Sequence, residues 1–247
     1  MILKALVVIS ILFASQALAA NKSPIPLLTY HLKPPFIVDE KTEQGLFYDL
    51  AKFLTKRSGR YQFVTSYIPR KRLDYLLQQD ELKGLVVGAN PIWFKDKNEA
   101  KYLWLDTIYK DRDEFVSLKS NAFEFEGFAS LTGLSIAGVS GYYYFGVNDM
   151  VSKGQAVRVN TIGERQVLAM IRKKRAHVGI VSTSVFNYLR RHEGLPNIFH
   201  FSAQPHDAYD RRIFTSKENR TLFEHLKPIV STMSQDPDWQ KLIAKYQ

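Results

Sequence analysis

The chain has 247 residues, no cysteine and a formal net charge of +10. Without cysteine there is no disulfide framework and no lipid-modified cysteine anchor, so stability has to come from an ordinary apolar core. The charges are scattered rather than blocked and no recognition motif accompanies them, which argues for a solvated surface over an acidic ligand or the anionic cell envelope and against nucleic acid as a partner.

The first twenty residues, "MILKALVVISILFASQALAA", carry one early lysine, an apolar run from Ala5 to Phe13, and small residues at Ala17 and Ala19. This is the pattern of a secretory signal peptide, residues 1–19, with an A-x-A cleavage site before Ala20. The run is shorter than the roughly 20 residues that span a bilayer, and no later stretch approaches that length. An exported protein that is not membrane-embedded is expected.

"IPLLTY" (Ile25 to Tyr30) is a short apolar strand that meets the proline loop "HLKPPF". In "GLFYDLAKFLTKRSG" (Gly45 to Gly59), Leu46, Phe47, Leu50, Phe53 and Leu54 share one helical face, and Gly59 suits a C-cap. "YQFVTSYI" (Tyr61 to Ile68) reads as a strand, "PRKRLDYLLQQ" as a helix with Pro69 in its first turn, and "LKGLVVGAN" as the next strand. The order β-α-β-α-β points to a mostly parallel sheet, whose ligand site lies beyond the carboxyl ends of its strands. Tyr30 to Phe36 and Asn90 to Asn98 both stand at such ends.

A second unit repeats the pattern with strand "LSIAGVSG" (Leu134 to Gly141), the amphipathic "TIGERQVLAMIRKKRA" (Thr161 to Ala176), strand "HVGIVS" and helix "TSVFNYLRR". The dense cluster "RKKR" (Arg172 to Arg175) falls at a predicted helix C-terminus, where cations complement the dipole. "DRDEFVSLKS" (Asp111 to Ser120) and "YDRRIFTS" (Tyr209 to Ser216) are extended segments flanking the second unit, as two crossings of a hinge would be. The C-terminal segment is helical, with Pro228 expected to kink it and Asp236 to cap a last short helix that packs on the first lobe.

"KPPF" after the first strand, "GLFYDL" opening a helix, "IAGVSG" opening the second lobe and "DPDWQKLIAKY" near the end together resemble the family 3 periplasmic solute-binding proteins. The resemblance covers essentially all of residues 20–247. It implies an α/β chain with the two-lobed type 2 periplasmic-binding fold and two hinge crossings, a Venus flytrap. Lobe 1 would comprise residues 20–114 and 207–247, and lobe 2 residues 115–206. It also implies a monomer that closes over a small-molecule ligand, with an ABC permease or a membrane sensor as partner.

The departures bear on the ligand. An ungapped alignment through "WLDTIY" (Trp104 to Tyr109) places Asn98 where amino-acid-binding members carry the arginine that grips a carboxylate. Asn90 and Trp93 fall at the family's hydroxyl positions, Tyr142, Tyr143 and Tyr144 follow Gly141, and Ser182 stands at the position of the aspartate that takes an ammonium. A standard α-amino acid is therefore not the expected ligand, and the chain resembles a divergent proteobacterial branch marked by "PRKRLDYLL", "GANPIWF" and "YLWLDTIYKDRDEFVSL". Tyr30, Phe36, Trp93 and the tyrosine run are read as aromatic walls suited to a ring, a sugar face or a cation, against the alternative of ordinary packing. Arg72 is a candidate for holding an anionic group. Arg112 and Asp113, at the hinge entrance, are read as an interlobe ion pair.

The ligand set is thus Tyr30, Phe36, Arg72, Asn90, Trp93, Tyr142, Tyr143 and Ser182, with no cofactor and no metal. His31 and His206 lie near strand ends but are read as packing or surface residues. No metal-ligand spacing, G-x-S-x-G elbow or Walker loop is present, so a periplasmic dehydratase-like enzyme is the lesser alternative. A ligand-sensing module for a membrane receptor remains open beside the importer.

Overall fold

The computed structural model describes residues 24–246, so the signal segment read from residues 1–19 lies outside the described residues. Strand β1 (Ile25–Thr29) pairs in parallel with β2 (Phe63–Tyr67) on one side and β3 (Leu85–Ala89) on the other. Helices α1 (Leu46–Ser58) and α2 (Arg70–Gln78) make the two crossovers that parallel pairing requires. All five residues of β3 are buried, as expected of a parallel strand covered on both faces. Pro69 stands at the N-cap of α2, one position before the first turn in which the sequence suggested it.

Two glycines fix the loops that reach the cleft. Gly45, at φ 139°, precedes α1; a Cβ there would lie 2.4 Å from the Phe36 carbonyl oxygen. With no Cβ in the way, the Leu46 and Phe47 amides bond the carbonyls of Pro35 and Phe36, clamping the β1–α1 loop onto the helix. Gly88, at φ 78° inside β3, would place a Cβ 2.7 Å from Phe47 and 3.0 Å from His31. The His31 ring therefore rests against bare backbone.

The second lobe has the parallel order β8-β6-β7, built from β6 (Ser135–Val139), β7 (Val157–Thr161) and β8 (Val178–Ser182). Helices α4 (Glu164–Arg172) and α5 (Thr183–His192) follow β7 and β8, and Arg172 closes α4, so the basic cluster begins at a helix C-terminus. Besides two- and three-residue strands and short 3-10 turns, the structure adds two elements that the sequence pattern hides. One is the six-residue α3 (Val147–Ser152), too short to show a period. The other is β7, an edge strand reading V-R-V-N-T with Val157 and Asn160 exposed and no apolar run.

Strand β5 (Tyr109–Leu118) and strand β10 (Asp207–Thr215) run antiparallel through both lobes. β10 pairs with β3 and the two-residue β4 (Leu103–Trp104) in the first lobe, while β5 pairs with β8 and β9 (Phe199–Phe201) in the second. These are the two hinge crossings. The ladder sets Asp113 opposite Asp207, Asp111 opposite Tyr209, and Tyr109 opposite Arg211. Directly opposed residues share a face, so one side of the ribbon carries Tyr109, Asp111, Asp113, Tyr209 and Arg211.

The C-terminal helices α6 (Arg220–Thr232) and α7 (Pro237–Ala244) return to the first lobe, as expected from the sequence. Pro228 lies inside α6 without ending it. Asp236 caps α7 by accepting from the Asp238 and Trp239 amides, and Trp239 is buried against Phe53 with ring centroids 5.6 Å apart. Each fully buried large apolar side chain of this kind contributes about 1.5–3 kcal/mol. Separate cores in the second lobe gather around Val116, Val167 and Val185, and around Phe115, Tyr144 and Val147.

Candidate functional site

The candidate site lies where the strand ends of both lobes meet the hinge ribbon. From the first lobe, the loop after β1 brings Tyr30, His31 and Lys33, and the turn after β3 brings Asn90 and Trp93. From the second, Tyr142 follows β6, Glu164 opens α4 just after β7, and Ser182 ends β8. These are the carboxyl ends of parallel strands, the location in which open α/β sheets bind ligands.

The floor is a buried polar network on one face of the ribbon. Arg211 donates from Nε (3.0 Å) and Nη2 (2.8 Å) to Asp111, and both side chains are almost fully buried. Asp111 also accepts from the Ser184 amide (3.1 Å) and hydroxyl (2.7 Å), which ties the floor to α5. Arg211 Nη2 donates to the Tyr209 hydroxyl (3.2 Å), and Tyr209 donates in turn to Asp113 (2.8 Å). Burial, with the Glu164 charge adding repulsion, pushes Asp113 up to about 7. The guanidinium lies 4.4 Å above the Phe36 ring. Burial opposes its charge, yet Tyr209 and the aspartates hold its pKa above the ordinary arginine value. Arg211 is thus committed to Asp111 and is not a free carboxylate clamp.

Lys33 reaches across the cleft. Its ammonium pairs with Glu164, lies 3.4 Å from Ser182 Oγ and sits 5.6 Å from the Tyr142 ring centroid. Burial opposes that charge, but Glu164 outweighs it and raises the Lys33 pKa. Glu164 is itself held by the Ser182 amide (2.9 Å) and hydroxyl (2.7 Å).

Two buried polar atoms here have no hydrogen-bond partner, the Tyr30 hydroxyl and His31 Nδ1. Burial and the nearby Arg211 and Lys33 cations hold the His31 pKa well below its usual value. The ring is therefore neutral, with Nε2 facing the Gly88 carbonyl at 2.9 Å. Burial likewise raises the Tyr30 pKa, so its hydroxyl stays protonated. Trp93 closes this corner edge-on to Tyr209 (4.8 Å) and His31 (6.2 Å).

The eight residues expected from the sequence separate in the structure. Tyr30, Trp93, Tyr142 and Ser182 join the cleft cluster. Asn90 lies at its edge, accepting from the Ile92 amide and donating to the Asp210 carbonyl. Phe36 is fully buried, stacked on Phe47 (4.9 Å), and forms the support beneath Arg211 rather than a wall. Tyr143 is 67% exposed. Arg72 points to solvent over Tyr75; Arg70, two residues earlier, turns inward over Tyr30 (5.0 Å) and donates to the Trp93 carbonyl (2.7 Å). Tyr144 is core, its hydroxyl accepting from the Val139 amide (3.0 Å). Asn98 sits in an exposed turn. Arg112 and Asp113 are not an ion pair, because successive strand residues face opposite ways; Arg112 pairs with Glu114 on its own face. His31 is buried in the cleft cluster, with Nε2 3.2 Å from Arg211 Nη1, while His206 bonds the Phe145 carbonyl (3.0 Å) in the second lobe.

Lys33, Glu164, Asp111, Tyr209 and Arg211 were missed from the sequence. Strand-end position could have found Lys33 and Glu164, and the i, i+2 alternation of the hinge strands could have grouped Asp111 with Asp113 and Tyr209 with Arg211. A groove of about 780 Å³ also runs along the ribbon past Asn90, Lys110, Arg112 and Arg212, and it shares Trp93, Asp111 and Tyr209 with the cleft. It is open and its arginines are already paired with Glu114 and Glu99. The cleft is the stronger candidate because its unpartnered polar atoms are buried.

No family model matches the chain and no curated protein matches it in sequence. Solved structures match it in fold. The GluR0 ligand-binding core from Nostoc punctiforme in complex with (L)-glutamate gives a TM-score of 0.70 at 12% identity, covering 90% of this chain and 99% of that one. A mutant of ArgBP from T. maritima gives 0.68 at 15% identity, covering 90% and 94%. A double mutant of the BvgS VFT2 domain from Bordetella pertussis gives 0.66 at 14% identity, covering 90% and 93%. The fold is thus the two-lobed α/β arrangement of periplasmic binding proteins, with two hinge crossings. No described helix is long and apolar enough to cross a membrane.

Proposed function

We propose that the protein is a periplasmic solute-binding protein that captures a small ligand between its lobes, exported by its N-terminal segment and divided at the β5–β10 ribbon into lobes of residues 20–114 with 207–247 and 115–206. The observation that carries this reading is the pair of buried, unpartnered polar atoms, Tyr30 Oη and His31 Nδ1, at the strand ends of both lobes, where Trp93 packs edge-on to His31 and Tyr209 and Tyr142 lies near Lys33. A buried donor or acceptor without a partner costs about 1–3 kcal/mol, which a ligand supplying the missing hydrogen bonds recovers. The aromatic faces favour a flat or cationic group.

A standard α-amino acid fits poorly. Arg211 is engaged by Asp111, and Arg70 by Asp74 and the Trp93 carbonyl, so neither offers a free fork to a carboxylate. Thermal-shift screening of residues 20–247 against amines, aromatic acids, sugars, oligopeptides and L-amino acids tests the proposal. Trp93→Ala should weaken the resulting hit about tenfold, the equivalent of one lost stacking contact. A strong shift with ordinary L-amino acids, or undiminished affinity in Trp93→Ala, would refute this account of the site.

Import and sensing both use the liganded closed form. Neighbours include the binding protein of an amino acid ABC transporter as well as the GluR0 core. Permease and ATPase genes beside the coding sequence would favour import, and a kinase or cyclase gene sensing. Asp113 can exchange a proton near neutrality, so any hit is also incubated with the protein and assayed for turnover.

A further inference from the structure

The second lobe builds a cation subsite from its own residues. Both bonds to Glu164 Oε2 come from Ser182, its amide at 2.9 Å and its hydroxyl at 2.7 Å, and so exist whatever the first lobe does. They leave Oε1 to Lys33, whose ammonium also lies 5.6 Å from the Tyr142 ring centroid. A carboxylate held this way, with side-chain exposure of only 4% once the lobes meet, needs a cation to offset its desolvation.

The chain supplies that cation itself. Lys33 projects from the opposite lobe, and its ammonium rests on Glu164 Oε1 near Ser182 and Tyr142. Asp113 from β5 and Arg211 from β10 are the other charged groups that act on it. The loop presenting it is fixed: Pro34 and Pro35 follow Lys33, the Lys33 carbonyl accepts from the Ile37 amide (3.0 Å), and the Pro35 carbonyl accepts from Leu46 (2.8 Å). A cation offered by a rigid loop spends little entropy on docking.

We propose that Lys33 is a tethered ligand: its ammonium fills the subsite made by Glu164, Ser182 and Tyr142 and closes the two lobes without solute. The proposal rests on the reading of the cleft as a solute site, and assigns the solute the other half of it, Tyr30, His31 and Trp93. The contact joins the two lobes, so it is available only in the closed state and biases the equilibrium toward it.

The chain has no cysteine, so one cysteine on each lobe, Lys71→Cys and Lys153→Cys at exposed positions, allows a single spin-label distance to be read by pulsed EPR. In this background, without solute, the distance distribution should be the short one of the closed form. Lys33→Ala should shift it to longer distances, and n-propylammonium, which replaces the deleted Cγ, Cδ, Cε and Nζ atoms, should bring it back. The same amine should leave the Lys33 background unchanged, and sodium chloride should rescue nothing. Should Lys33→Ala fold poorly, Glu164→Gln should open the lobes, and Lys33→Glu with Glu164→Lys together should close them again. An open Lys33 background, or a Lys33→Ala variant that stays closed, overturns the proposal. If Lys33→Ala stays closed yet still binds the screening hit, the tethered ligand falls and the solute site stands. If Lys33→Ala opens and responds to the amine but the chain binds no solute, the tethered ligand stands and the solute reading falls.

Discussion

Replacing Asp111 with asparagine tests the floor of the cleft. The substitution keeps the side chain's shape but removes the charge that compensates Arg211, whose side chain is 1% exposed. Arg211 gives Asp111 two of its donors, at 3.0 and 2.8 Å, and no other carboxylate is in salt-bridge range of it among the described residues. Breaking a buried pair by removing one partner costs about 3–5 kcal/mol, because the surviving charge is left desolvated. At about 2–4 °C per kcal/mol for a chain of this size, the melting temperature should fall by roughly 10 °C. Urea titration followed by far-UV circular dichroism and tryptophan fluorescence reads the same loss. Arg211→Met removes the buried cation, and the Ser184 amide and hydroxyl still serve Asp111. The double variant should therefore cost less than the sum of the singles by more than about 1 kcal/mol. A loss below about 1 kcal/mol in Asp111→Asn, or strict additivity, would refute the network as described.

Asp113 and Asp96 have pKa values shifted in opposite directions. Asp113 has a folded pKa raised to about 7, so the folded state holds a proton that the unfolded chain releases near the ordinary aspartate value; stability should fall as pH rises through the window from about 4 to 7, and Asp113→Asn should flatten that slope in denaturation midpoints measured across it. Asp96 is the reverse case: burial opposes its charge, but Trp104 Nε1 and the amides of Ala100, Lys101 and Tyr102 outweigh that and lower its pKa. Its contribution should be complete above the unfolded pKa near 4 and lost as pH falls through the lower folded value, so wild type and Asp96→Asn should differ by about 1–3 kcal/mol at pH 7 and converge in strong acid; a constant gap would contradict it.

Most of the fold was legible because its strands are short apolar runs ended by punctuation. Ile25–Thr29 stops at the proline loop, and Leu85–Ala89 at Asn90-Pro91. Gly59 ends α1 in the left-handed conformation that its position suggested. β7 escaped because an edge strand with exposed Val157 and Asn160 has no run to detect. In the site, position was legible and identity only in part. Trp93 and Ser182 lie where strand ends predicted. Arg70 and Arg72 lie two residues apart on α2 and so on nearly opposite faces, and Arg70 shares the face of the buried Leu73, three residues on, which turns it toward Tyr30.

Lys33, Glu164 and Arg211 share a different obstacle. Each is a charged side chain whose burial is created by a contact distant in sequence, 131 residues for Lys33 with Glu164 and 100 for Arg211 with Asp111. Local pattern reading assigns such residues to the surface, since isolated charges stay in water unless paired. The same physics places them once the lobes are set together. The ribbon register puts Arg211 beside Asp111, and the cleft puts Lys33 against Glu164, so two cations that look solvated in the sequence become the floor and the bolt of one site. The charges that the sequence resemblance would place at Asn98 and Ser182 are therefore not simply absent from the cleft. The cleft contains a buried arginine and a buried lysine, each answered by a carboxylate of the same chain, and what it leaves unanswered is Tyr30, His31 and the faces of the aromatics around them.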